Sequence, residues 1–232
     1  VTFANSNFKT VLLDINTENL KKIDGVIFPF KEECGDKQLK LALRAKKLFT
    51  SSAPEVITKS KIIIIIIGTP VDKYLNPDFC GIINLVDFYL PYFVDGQTLI
   101  LRSTIFPGTS EKIQKYLETK GKKIDVAFCP ERILQGKALI ELQNSPQIIS
   151  AFSKKVLKKV EAIFKKITSK KVIKVEPIEA ELAKLFSNAW RYISFAVANQ
   201  FYMIAANRKL NYKRIHTAMT KDYPRNNGLP LP

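Results

Sequence analysis

Along residues 9–175, short apolar runs of strand length alternate with longer segments in which apolar residues recur at helical spacing. The strand-like runs are Lys9–Ile15, Leu48–Ser51, Lys61–Ile67, Gln97–Ser103, Ile124–Phe128, Ile148–Ile149 and Val172–Val175. Between them lie two helical pieces in 17–47 around a loop at Gly25–Phe30, a short helix at Ala53–Lys59, and helices at Asp78–Phe93 and Thr109–Thr119. The basic segment Lys154–Lys174 reads as a solvated helix face with Val156, Leu157, Val160 and Phe164 inward. Val1–Phe8 reads as the last turns of a helix. This alternation predicts an α/β fold with a doubly wound parallel sheet. Ile62–Ile67, six consecutive isoleucines, predicts a strand buried on both faces and therefore central in that sheet.

From Glu181 to Asn207 the pattern changes to one long, mostly apolar helix, so the chain divides into a sheet domain, 1–175, and a helical region, 176–232. Glu181, Lys184, Asn188 and Arg191 interrupt the apolar run at i, i+3, i+7 and i+10, which puts them on one side. Spacing alone fits either a solvated polar edge or a stripe aimed at a polar ligand. Apolar residues cover most of the remaining circumference, more than one packed domain face requires. The expected cover is a further domain or a second copy of the helix.

In parallel sheets, ligands sit beyond the carboxyl ends of the strands. The predicted strands end on or just before Asp14, Thr69, Thr104 and Glu131, which would line one rim. Asp14 closes a strand immediately before a helix start at Asn16 or Thr17. A carboxylate there can accept the adenosine ribose hydroxyls of a dinucleotide, or simply sit at the N-terminus of the following helix.

The net charge of +16 raises the question of nucleic acid, but 30 of the 37 cations are lysines scattered over helix surfaces. Clustered arginines with aromatic platforms are absent from the sequence, so a nucleic-acid partner is not expected. No apolar run approaches the ~18 residues of a membrane span. One histidine and three cysteines without ligand spacing (Cys34, Cys80, Cys129) argue against a metal site and for a reducing, cytoplasmic setting. The first seven residues do not resemble a signal peptide.

Four phrases in order, GTPVDKYLNPD at 68–78, LRSTIFPGT at 101–109, CPERILQG at 129–136 and ELAKLFSNAWRYISFAVANQ at 181–200, resemble the UDP-glucose/GDP-mannose dehydrogenase family. The resemblance extends over essentially the whole chain. It implies a four-electron oxidation of a nucleotide sugar at C6, using two NAD⁺ in succession, with a cysteine capturing the intermediate aldehyde. By matched motif, Lys184 and Asn188 would stabilise the C6 oxyanion. Thr104 and Glu131 would hold and activate water, with Thr104 also beside the cofactor. Asp14 and Thr69 would bind NAD. Glu131, Arg132, Lys184, Asn188 and Arg191 would contact substrate, Arg191 matching the branch that acts on N-acetylated sugars. The resemblance also implies a homodimer through the 181–207 helix. Three departures stand out. The nine glycines contain no G-x-G, and no cysteine follows Leu229-Pro230. Ala151-Phe152 stands where the family has paired glycines. The chain is therefore read as an inactive interior piece. A 6-phosphogluconate-type β-hydroxyacid dehydrogenase and a basic nucleic-acid-binding module are the rival readings.

Overall fold

The computed structural model describes residues 1–68 and 79–231; Thr69, one of the expected cofactor residues, lies outside them. The chain forms two compact units, Val1–Leu182 and Ala183–Pro232. The boundary falls inside one long helix.

The first unit runs α1 (Thr2–Asn5), β1 (Thr10–Leu13), α2 (Thr17–Asp24), α3 (Gly35–Arg44), β2 (Leu48–Ser51), a 3₁₀ turn (Pro54–Lys59) and β3 (Ile62–Ile65). It continues with α4 (Phe79–Tyr89), β4 (Thr98–Leu101), α5 (Thr109–Thr119) and β5 (Asp125–Phe128). Next come α6 (Ala138–Asn144), β6 (Gln147–Ala151), α7 (Lys154–Phe164) and β7 (Val172–Lys174), and then the start of α8 (Pro177–Asn207). Local chemistry sets several boundaries. The Asn16 side chain accepts the Asn19 N–H at the start of α2, and Ser153 accepts the Val156 N–H at the start of α7. Gly108 opens α5 from a left-handed backbone, φ 85°, which favours glycine.

β1 and β2 pair in parallel, and a second sheet has the order β3-β4-β5-β6-β7. Within it β3, β4 and β5 are parallel, in the register Ile65↔Leu101↔Phe128. The sheet is thus mostly parallel, but it departs from the expected pattern at β6, which runs antiparallel to β5 with Ala127↔Ala151 and Phe128↔Ser150. The connection between them carries the seven-residue α6, and β6 starts at the rim where β5 ended. β7 follows β6 in parallel.

The buried centre is β4 and β5 rather than the isoleucine run. Leu99, Ile100, Leu101, Val126, Ala127 and Phe128 are fully buried, whereas Ile62–Ile64 are only partly covered. The expectation of a central β3 is corrected: among the described residues β3 pairs on one side only, with β4. α7 lays Val156, Val160, Ile163 and Phe164 on the sheet, as its periodicity predicts, with its lysines on the outer side except that Lys159 donates from Nζ to the Thr98 hydroxyl at 2.7 Å.

In the second unit α8 continues to Asn207 and α9 (Tyr212–Thr220) follows. Asn211 caps α9 by accepting the Arg214 N–H. Tyr212 is buried edge-on to Tyr202, with ring centroids 5.9 Å apart, and the His216 ring bonds the Leu229 carbonyl at 3.0 Å. Among the described residues no helix is long and apolar enough to cross a membrane.

Candidate functional site at the ends of β4 and β5

The parallel register brings the carboxyl ends of β4 and β5 side by side, so the segments leaving them share one rim. Thr104 follows β4 and is partly buried; Glu131 follows β5, and its backbone N–H approaches the Arg102 carbonyl at 3.4 Å. The segments that carry two of the four expected rim residues, Thr104 and Glu131, therefore leave the sheet at the same edge.

Glu131 is not a loose loop carboxylate. Its Oε2 is ion-paired to the guanidinium of Arg102, whose side chain is 5% exposed against 25% for Glu131. Its Oε1 accepts the Arg132 N–H at 2.8 Å. Arg102 also donates to the Cys129 carbonyl and to Gln147 Oε1, each at 3.1 Å, and its guanidinium lies 5.0 Å from the Phe164 ring centroid. Gln147 reaches this point because β6 is antiparallel: extending the register from Phe128↔Ser150 places Gln147 opposite the Glu131 position. Arg132, exposed, donates from Nη2 to the Pro146 carbonyl at 2.7 Å. A cleft of about 200 Å³ lies between residues 130–133 and 145–147, with Glu131 on its wall.

Sequence reading missed Arg102 and Gln147, and it misread Glu181. Glu181 is fully buried and does not share an exposed stripe with Lys184, Asn188 and Arg191. Its carboxylate accepts the N–H of Gly108 at 2.5 Å, and the N–H and hydroxyl of Ser110 at 2.9 and 2.5 Å. It thereby satisfies orphan donors at the N-terminus of α5 and complements that helix dipole. The partners lie more than 70 residues away in sequence, so no local pattern could reveal them.

Asp14 is partly buried just past β1, and its Oδ1 accepts the Asn16 N–H at 2.9 Å. The bond orients the carboxylate at the mouth of a parallel strand, a placement that fits the ribose end of a dinucleotide. Cys129 is buried under the site, and loss of solvent pushes its thiol up to about 12, so it stays protonated and is no nucleophile. In the second unit Lys184 and Asn188 are partly buried, and Arg191 is exposed with its guanidinium 5.9 Å from the Tyr192 ring centroid. Among the described residues no cluster of histidine, cysteine and acidic side chains could hold a metal.

A sequence model of the UDP-glucose/GDP-mannose dehydrogenase family, NAD binding domain, matches residues 1–168. The UDP-N-acetyl-D-mannosamine dehydrogenase of Methanocaldococcus jannaschii is 31% identical over 211 residues, 90% of this chain and 48% of that protein. The solved UDP-D-ManNAc dehydrogenase of Pyrococcus horikoshii is 30% identical with a TM-score of 0.85, covering 95% of this chain and 54% of the other. The UDP-N-acetyl-mannosamine dehydrogenase Cap5O of Staphylococcus aureus superposes with a TM-score of 0.82 at 27% identity, covering 100% of this chain and 57% of the other. The chain spans about half the length of the curated relatives it matches. With an α/β fold, an oriented carboxylate after β1 and a match over most of its length, the chain belongs to the UDP-glucose/GDP-mannose dehydrogenase family and carries that family's NAD-binding domain.

Proposed function

We propose that the chain is part of an NAD-dependent nucleotide-sugar 6-dehydrogenase, acting on a UDP-N-acetylmannosamine-type substrate and producing the uronic acid for polysaccharide precursors in the cytoplasm. The observation that carries this reading is the approximately 30% identity, over nine-tenths of the chain, to UDP-N-acetyl-D-mannosamine dehydrogenases. NAD⁺, when bound, supplies the hydride acceptor. Asp14 holds the adenosine ribose, and Thr69 and Thr104 lie along the cofactor. Lys184 and Asn188 donate hydrogen bonds to the oxygen that gains charge at C6. Arg132 and Arg191 bind substrate, Arg191 on the N-acetyl sugar side. Glu131 and Thr104 orient the water that releases the acid.

Oxidising an alcohol to an acid in one site needs a covalent hold on the intermediate aldehyde, and a thiolate is the suitable nucleophile. Cys129 cannot serve, being buried and protonated. The 232-residue chain alone should therefore oxidise no nucleotide sugar. It should also bind NAD⁺ weakly, because it contains no G-x-G turn to cradle a pyrophosphate. The α8 face pairs with a second copy in a homodimer.

The test is a full-length protein carrying these residues, assayed with UDP-N-acetylmannosamine, UDP-glucose and GDP-mannose. UDP-N-acetylmannosamine should be preferred, and Lys184→Ala should lose about 10²- to 10³-fold in turnover, as when one oxyanion donor is removed. Glu131→Gln should accumulate acyl-enzyme visible by intact mass. Activity confined to a 2- or 3-hydroxy acid would reject the reading in favour of a 6-phosphogluconate-type enzyme.

A further inference from the structure

The guanidinium of Arg102 serves no surface role. It is buried at the end of β4, and it meets the carbonyl of Cys129 on β5's exit, the carboxylate of Glu131, and the side-chain oxygen of Gln147 on β6. The Phe164 ring of α7 closes one side, 5.0 Å away. The Arg102 backbone N–H is itself tied to the Ile65 carbonyl of β3 at 3.0 Å. Elements on every side thus fix this one side chain; of its three hydrogen-bond acceptors Glu131 and Gln147 line the cleft, and Glu131 alone brings a charge there.

A planar guanidinium with a fixed fork of donors defines where its acceptors lie, whereas an ammonium is a point charge that does not. The bond from the Arg132 N–H to Oε1 leaves the carboxylate held at both oxygens, by Arg102 at one and by the backbone at the other. Stability alone is a poor explanation for such a pair, since desolvation offsets much of the attraction between buried charges. Its distinctive product is a carboxylate of fixed orientation on the wall of the cleft.

We infer that Arg102 is the positioning residue of this site, holding the Glu131 carboxylate in the orientation it needs to act on water or substrate, with Gln147 and Phe164 fixing Arg102 in turn. The inference rests on the role proposed above for Glu131. Its structural half, that Arg102 sets the carboxylate's orientation, stands independently.

Two measurements test it. In the 232-residue chain with ¹³C-labelled glutamate, the Glu131 carboxyl resonance is assigned from Glu131→Gln. In the parent chain it should not move when salt is raised from 0.05 to about 0.5 M, because the partner is buried. In Arg102→Lys it should shift and become salt-dependent. Gln147→Ala keeps the guanidinium but removes one anchor, and should move the same resonance by less; it stands in if Arg102→Lys fails to fold. In the full-length protein, Arg102→Lys should slow turnover by at least about tenfold with an unchanged KM for the sugar, as misplacement of a reacting group does. It should accumulate the same acyl-enzyme as Glu131→Gln, and the double variant should be no slower than Glu131→Gln alone. A Glu131 resonance indifferent to both substitutions overturns the inference. So does Arg102→Lys at parent turnover, or a loss that adds fully to that of Glu131→Gln. If the parent full-length protein oxidises no nucleotide sugar while the resonance responds as stated, the functional reading fails and the positioning of Glu131 by Arg102 stands.

Discussion

The two units of this chain treat their apolar residues in opposite ways. In the first, Phe128 on β5 is 0% exposed, and Leu99, Ile100 and Leu101 beside it are equally enclosed by the sheet and its helices. In the second, Trp190 is 67% and Tyr192 70% exposed, with Phe186 and Ile193 similarly bare on α8. Burial within that unit falls to Ala198, Ala205 and Tyr212. The sheet unit encloses a core of its own, and the apolar residues it leaves bare, Ile15, Ile66 and Phe88 among them, belong to different segments. A contiguous apolar helix face of this size, by contrast, marks a surface that works in contact with something else.

Substitutions can break or sharpen that contrast. Phe128→Ala should cost about 3–5 kcal/mol in urea unfolding, the cavity cost of removing a buried ring from a packed core. Glu181→Gln should cost roughly 2 kcal/mol, because an amide in that position turns a donor towards Gly108 and Ser110 while their three hydrogen bonds lose a charged acceptor. A loss near zero would mean that the α5 N-terminus is satisfied in another way. Trp190→Ala should change the unfolding free energy of the monomer by no more than about 0.5 kcal/mol, yet weaken self-association measurably by analytical ultracentrifugation. Unchanged association would remove α8 as the dimer face.

Two smaller effects follow from titration. Hydrogen bonds from Lys174 and Lys165 hold the Glu161 carboxyl below its ordinary range. A depressed carboxyl contributes stability above its unfolded pKa of about 4.3, and loses that contribution as pH falls through the folded value. The melting temperature of Glu161→Gln should therefore lie slightly below the parent at pH 7 and converge with it at low pH; a constant offset would contradict the ion pairs. At pH 8, thiol reagents followed by peptide mapping should label exposed Cys34 and spare Cys129. Labelling of Cys129 in the folded chain would reopen it as a nucleophile.

The alternation of strands and helices, the inward stripe of α7 and the polar strand ends were legible because each is a local period or a local transition. The antiparallel β6 was not, since two isoleucines at 148–149 carry no sign of direction. The order of burial was misjudged for the same kind of reason: Ile62–Ile65 has the composition of a central strand, but centrality depends on neighbours. α6 and α9 are short and carry too little periodicity to stand out. At the site, the rim positions of Thr104 and Glu131 followed from the sheet rule. Arg102 was passed over because a single cation at a strand end reads as solvated until Cys129, Glu131 and Gln147 are seen around it. Glu181 looked like part of a polar stripe for want of its partners at Gly108 and Ser110.

The measurement closest to the central claim is stoichiometry. In a full-length protein carrying these residues, NADH formed per UDP-N-acetylmannosamine consumed should reach two, as the successive removal of two hydrides from one C6 carbon requires. A value of one, with aldehyde released to solution, would contradict the account.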